Sequence, residues 1–141
     1  MKFELELDKD PSDELRKAIL DPLTAFNAEN GYPPDAKPLA VVARNDAGEI
    51  VGGLWGKTGY GWLSVQFLIV DPSLRERGLG GQLMVAAEDE GRRRGCVGAW
   101  LTTFSFQARG FYEKLGYCVF AELEESPGDN IRIFMRKGLT S

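Results

Sequence analysis

The residues best equipped for chemistry in this chain are Arg75-Glu76-Arg77-Gly78-Leu79-Gly80-Gly81. They stand between a run that reads as a strand, ending at Val70-Asp71, and a run that reads as a helix. A glycine-rich turn that opens a helix aims several backbone N–H groups and the positive end of the helix dipole at one point, which suits phosphate. Gly78, Gly80 and Gly81 carry no Cβ, so an anion can come close to the backbone, and the N–H groups from about Arg77 to Gly81 can converge on it. Arg75 and Arg77 can add charge-assisted hydrogen bonds to a diphosphate. The alternative is a tight strand-to-helix turn with solvated arginines. Spacing narrows the choice of ligand. A dinucleotide turn wants Gly-x-Gly-x-x-Gly in a parallel unit, but the third glycine is replaced by an apolar residue and the preceding strands read as hairpins. A nucleotide-triphosphate loop wants Gly-Lys-Ser or Gly-Lys-Thr, which is absent. What stands is Arg-x-x-Gly-x-Gly, just after Val70-Asp71-Pro72.

The elements that must hold this turn follow from periodicity. Met1 to Leu7 alternates apolar and charged residues and predicts a strand. Ser12 caps a following helix with Leu15, Ala18 and Ile19 in its apolar stripe; Pro22 ends or kinks it, with Leu23 to Asn30 a second helical segment. Gly31-Tyr32-Pro33-Pro34 predicts a loop. Leu39 to Arg44, Ile50 to Lys57 and Trp62 to Asp71 read as three antiparallel strands joined by tight turns. In the helix after the glycines, Leu83, Ala86 and Ala87 form the apolar face, and Glu88, Asp89 and Glu90 are expected to face water. Gly95 is the expected residue just past its end. Val97 to Phe104 reads as a strand and Ala108 to Leu115 as a short helix. Tyr117 to Leu123 and Ile131 to Arg136 read as a final hairpin around Ser126-Pro127-Gly128-Asp129. The order is β-α-βββ-α-β-α-ββ, an α/β class with one mixed, mostly antiparallel sheet in a single domain over residues 1–141.

The bulk properties exclude several roles. With 17 basic and 21 acidic residues the formal charge is -4, so no global attraction to nucleic acid is expected. The one basic run, Arg92-Arg93-Arg94, falls where a helix ends and is explained by the dipole. No apolar run approaches the roughly 20 residues of a membrane span, and the first residues lack the pattern of a signal peptide. A cytoplasmic protein with no nucleic-acid or membrane partner is expected. The chain has no histidine, and Cys96 and Cys118 have no metal-like spacing, so no metal is expected and both thiols are read as free and mostly buried.

Arg75 to Gly81 closely resembles motif A of the GNAT-type N-acetyltransferases, an Arg/Gln-x-x-Gly-x-Gly/Ala turn that binds the pyrophosphate of acetyl-coenzyme A. Ala108-Arg109-Gly110-Phe111-Tyr112-Glu113-Lys114-Leu115-Gly116-Tyr117 resembles the same family's small helix. The resemblance runs from Val65 to about Tyr117, and the order of elements also fits. It implies a sheet whose middle strands splay apart, with pantetheine lying along Leu68, Ile69 and Val70, whose side chains are read as core. The partner strand Trp100 to Phe104 would diverge and open a wedge for the thioester. It also implies contacts to the cofactor from Arg75, Glu76, Arg77, Gly78, Leu79, Gly80 and Gly81. The family often has an asparagine seven residues before the tyrosine; here that position is Ser105, with Ser105 or Gln107 as substitutes or as plain loop capping.

By the same resemblance the Val70 amide is an oxyanion donor and Tyr112 the general acid that also touches the cofactor, the alternative being that Tyr112 is core beside Phe111. Gln66 could orient a water or the amine, or simply face solvent. Removal of the amine proton is left open among water, Glu29 and Asp35. Glu29 and Tyr32, with Gln66, are candidates for contacting the acceptor, while Trp55 and Trp62 are either cleft walls or core. The implied activity is transfer of an acetyl group directly to a primary amine of a small molecule. The alternatives are a non-catalytic acyl-coenzyme A binding or sensing module and a protein N-acetyltransferase. A homodimer is the expected assembly.

Overall fold

Strand-forming residues in six segments build one sheet. A computed structural model describes residues 1–105, 108–124 and 129–140. The strands among them are β1 (Lys37–Arg44), β2 (Ile50–Gly59), β3 (Trp62–Val70), β4 (Gly98–Phe104), β5 (Cys118–Glu124) and β6 (Ile131–Gly138), in spatial order β1-β2-β3-β4-β6-β5. Every neighbouring pair is antiparallel except β3 and β4, which run parallel. A parallel pair needs a crossover, and it is supplied by a 3₁₀ turn over Pro72–Arg77 and helix α2 (Leu79–Arg93). A short helix α3 (Arg109–Lys114) follows β4. Of the expected last turn, Ser126, Pro127 and Gly128 lie outside the described residues, as do Glu125 and Gln107.

The chain comprises two units, Met1–Pro34 and Asp35–Ser141. In the first, Ser12 Oγ accepts the Leu15 N–H at 3.1 Å and caps helix α1 (Asp13–Glu29) as expected. Pro22 lies inside this helix instead of ending it. Its ring removes one backbone bond, and the Leu- and Ala-containing turns on either side carry the helix across. The strand expected over Met1 to Leu7 is not formed. Alternation predicts which faces a strand would have, but a strand also needs a neighbour to take its hydrogen bonds. Among the described residues this segment has no ladder partner, and Phe3, Leu5 and Leu7 are exposed.

In the second unit α2 packs across β1, β2 and β3. Leu83, Met84, Ala87 and Gly91 form its inner face, meeting a core that includes Leu54, Leu63 and Leu101. Each such large side chain contributes about 1.5–3 kcal/mol by leaving water. Glu88, expected to face water, is buried at 2% exposure, because it falls four residues after Met84 on the same helix face. Arg92, Arg93 and Arg94 finish the helix, pairing with Asp89 and Glu90, and Gly95 follows at φ +82°. Cys96 is buried, whereas Cys118 is exposed on the edge strand β5.

Candidate active site

The turn before α2 is built by local hydrogen bonding. Asp71 Oδ1 accepts both the N–H and the hydroxyl of Ser73, at 2.9 and 2.6 Å, and starts the 3₁₀ turn. Those bonds, with the nearby Arg75 charge, hold the Asp71 carboxyl below its ordinary value. Gly78 then adopts φ +77°, a left-handed conformation that a side chain would strain, and from there the chain enters α2. The first bond of α2 runs from Gln82 N–H to the Gly78 carbonyl at 3.1 Å; no side chain caps this end and no acid lies in its first turn. The amides of Leu79, Gly80 and Gly81 are therefore presented at the positive end of the helix. Arg75, Glu76 and Arg77 are exposed beside them, and Leu79 packs its side chain on the core, leaving only its backbone to offer. A groove of about 490 Å³ follows the outer face of α2 from Gly78 past Gln82 and Val85, with Leu115 in its wall. Uncapped amides, two exposed arginines and open space at Gly78 fit a diphosphate.

A second opening lies where β3 and β4 part. Their pairing runs only from Trp62–Gly98 to Val65–Leu101. At that point the β2–β3 register slips: Gly56 pairs with Val65 and Trp55 with Phe67, so Gln66 is the extra residue of a bulge. A bulge bends its strand and re-aims the side chains beyond it. Gly56 is what lets the strands close over it, since a Cβ there would lie 2.5 Å from the Ser64 carbonyl oxygen. From Gln66 to Val70 the edge of β3 that faces β4 has no ladder partner among the described residues. Leu68 and Val70 turn inward against the core, but Ile69, expected in the core, is exposed because alternation beyond the bulge sends it to the opposite face.

The gap forms a cavity of about 340 Å³ lined by Gln66, Leu68, Thr102, Thr103, Ala108 and Tyr112, among others. Tyr112 comes from α3, is 8% exposed, and packs edge-to-face with Phe111 at 5.0 Å. A phenol is protonated at neutral pH even at its ordinary value, and burial pushes that of Tyr112 higher still. A protonated hydroxyl at a cavity wall can give a proton to a departing group.

Ser105, Asp35, Trp55 and Trp62 do not line this gap. Ser105 ties the end of β4 to the start of β6: its hydroxyl donates to Asn130 Oδ1 and accepts the Ile131 N–H, both at 3.0 Å. Its donor is thereby engaged. Asp35 accepts the Tyr60 N–H at 3.0 Å in the β2–β3 hairpin, at the far end of β3 from Val70. Glu29 ends α1, and Tyr32 follows with its N–H on the Asn27 carbonyl at 2.8 Å; both belong to the first unit. Trp55 is exposed opposite Phe67, and Trp62 lines an apolar hollow with Trp100, Phe120 and Phe134 rather than the gap. Thr102 and Thr103 of the gap were not anticipated; nothing local marks them, since only the β3–β4 divergence brings them to Tyr112.

The family model described as Acetyltransferase (GNAT) family matches residues 4–117. The chain belongs to that family. It shares 40% identity over 110 residues, 78% of this chain and 80% of the other, with acetyltransferase Atu2258 of Agrobacterium fabrum. Blasticidin-S acetyltransferase of Streptomyces morookaense is 40% identical over 97 residues, 66% of this chain and 71% of that one. A solved structure from Agrobacterium tumefaciens superimposes with a TM-score of 0.87 at 35% identity, covering 96% of this chain and 99% of its own. This GNAT chain is an acetyl-coenzyme A-dependent N-acetyltransferase, and the match spans both the glycine turn and α3. Within the GNAT sheet, the uncapped turn and the gap at Tyr112 lie at the same end of β3, near Val70.

Proposed function

We propose that this enzyme transfers the acetyl group directly to a primary amine of a small molecule, with no covalent enzyme intermediate. The observation that carries this is the placement of Tyr112, a protonated phenol, at the wall of the gap that opens beside the free edge of β3. Acetyl-coenzyme A supplies an activated acetyl thioester. Arg75, Glu76, Arg77, Gly78, Leu79, Gly80 and Gly81 bind its diphosphate, chiefly through backbone amides and the two guanidinium groups. The backbone of Leu68, Ile69 and Val70 orients the pantetheine, and the Val70 amide donates to the oxygen on which negative charge develops. Tyr112 gives its proton at the sulfur side. Gln66, at the bulge, orients the amine or a water beside it; as the C–N bond forms and the C–S bond breaks, the proton the nitrogen loses leaves through water. Ser105 retains one lone pair for the cofactor.

Kinship with a blasticidin-S acetyltransferase favours a small-molecule acceptor over a protein one. Residues 1–141 act as one acetyltransferase domain in the cytoplasm, as a homodimer and without a metal. No described helix is long and apolar enough to cross a membrane. The described residues of the gap include no group that takes a proton near neutral pH, so the amine proton leaves through water. Purified protein, acetyl-coenzyme A and a panel of amines, with thiol release and product mass as readouts, test the small-molecule acceptor. Amine-dependent thiol release with a product heavier by one acetyl group supports it. Release on no amine, with acetylated proteins in lysate alone, supports a protein acceptor instead.

A further inference from the structure

Glu88 is a carboxylate buried in the middle of α2, and its two oxygens are shared between different elements. The Tyr117 hydroxyl donates to Oε2 at 2.7 Å, and the Lys137 ammonium donates to Oε1 at 2.9 Å. Tyr117 follows α3 directly, and Lys137 belongs to β6. Lys137 Nζ also sits 5.7 Å from the Tyr117 ring centroid. The carboxylate thus joins the helix of the glycine turn, the exit of α3 and the sheet. Such a buried pair is a costly way to hold elements together, since apolar packing of the same volume serves stability as well or better. What it adds is direction, because hydrogen bonds fix angles as well as contact.

The direction reaches Tyr112. The Tyr117 N–H donates to the Tyr112 carbonyl at 3.0 Å, and the two rings meet edge-on at 6.0 Å. On its other side Tyr112 packs against Phe111, whose ring lies over Gly80: a Cβ at Gly80 would be 3.1 Å from Phe111 Cζ. Two contacts with α2 therefore bracket Tyr112, one at Gly80 through Phe111 and one at Glu88 through Tyr117. Burial, reinforced by the bond and charge of Glu88, pushes the Tyr117 phenol far above its ordinary value, so its proton stays in that bond.

We infer that Glu88 is a positioning residue: through Tyr117 it sets the rotation of α3 about its axis so that the Tyr112 hydroxyl faces the gap between β3 and β4. This rests on the proposed role of Tyr112. Glu88→Gln keeps the size of the side chain and loses its charge; Tyr117→Phe leaves the Glu88–Lys137 pair intact and covers the case in which the first variant does not fold. Steady-state kinetics of both full-length variants should show kcat lowered about 10- to 100-fold, as expected for a misplaced group, with KM for acetyl-coenzyme A within about twofold of wild type. A purely structural role would lower the amount of folded enzyme and leave kcat per folded molecule unchanged.

A second readout does not need activity. In protein carrying 3-fluorotyrosine, the Tyr112 fluorine resonance, assigned by its loss in Tyr112→Phe, should be a single line in wild type and should shift or broaden in both variants. An unchanged Tyr112 resonance in a folded variant, with kcat intact, overturns the inference. Should wild type transfer acetyl to no amine, the proposed function falls, and the fluorine spectra alone decide whether Glu88 orients Tyr112.

Discussion

Gly56→Ala tests the structural origin of the gap. A Cβ at residue 56 would stand 2.5 Å from the Ser64 carbonyl oxygen, while real Cβ atoms essentially never come within 3.0 Å, so β2 and β3 must part by at least half an ångström. The obstacle is backbone, and no side-chain rotation relieves it. Overpacking of this kind costs about 1–3 kcal/mol. The backbone entropy that alanine saves in a strand is smaller, about 0.5–1 kcal/mol. The expected net loss is about 1–2 kcal/mol, and for a chain of this size that lowers Tm by roughly 3–8 °C. Gly53→Ala is the matched control. Its Cβ would meet only ordinary contacts, 3.6 Å from the Val41 oxygen, so the entropy gain should leave it as stable as wild type or slightly more so. Thermal melts, and urea titrations with a common m-value, measure both. A Gly56→Ala protein as stable as Gly53→Ala would refute the claim that close backbone approach at residue 56 shapes the bulge.

Three further outcomes are expected. Gly81→Asp places a carboxylate at the start of α2 without a clash, its Cβ lying 3.8 Å from Leu115 Cδ2. It should leave Tm unchanged or raised, since acids favour a helix start, and lower calorimetric coenzyme A affinity at least tenfold or about 1.4 kcal/mol. Met84→Ala empties a fully buried site and should cost about 2–5 kcal/mol by urea titration. Stability should also fall at high pH. Cys96, Tyr112 and Tyr117 keep their protons in the folded protein, while the unfolded chain releases them near the ordinary values of 9.0 and 10.0. Their contribution is therefore complete below about pH 9 and is lost as pH rises through the folded values, which urea midpoints at pH 8, 9, 10 and 11 would follow.

What was legible in the sequence depended on whether its cause was local. The glycines before α2 and the arginines and Gly95 at its end act within a few positions, and the structure puts them where those residues predict; Asp71, read as the end of a strand, proved to start the 3₁₀ turn between. The β3–β4 divergence was expected only through resemblance, and its cause, the Gln66 bulge, depends on the register of two strands. That register also sent Ile69 outward. Met1 to Leu7 shows the converse: a correct alternation forms no strand without a neighbour. Glu88 was open to reading, since residues 84, 87, 88 and 91 share one helix face, but its charge argued for water. Its partners Tyr117 and Lys137 lie far away in sequence and close only in the fold.

The most direct test is a single-turnover measurement on wild type and Tyr112→Phe with an accepted amine, alongside coenzyme A affinity by calorimetry. Loss of a general acid should slow acetyl transfer by about 10²-fold or more, with coenzyme A binding largely unchanged. Equal transfer rates in the two proteins would contradict the assignment of Tyr112, and with it the account of how this cleft works.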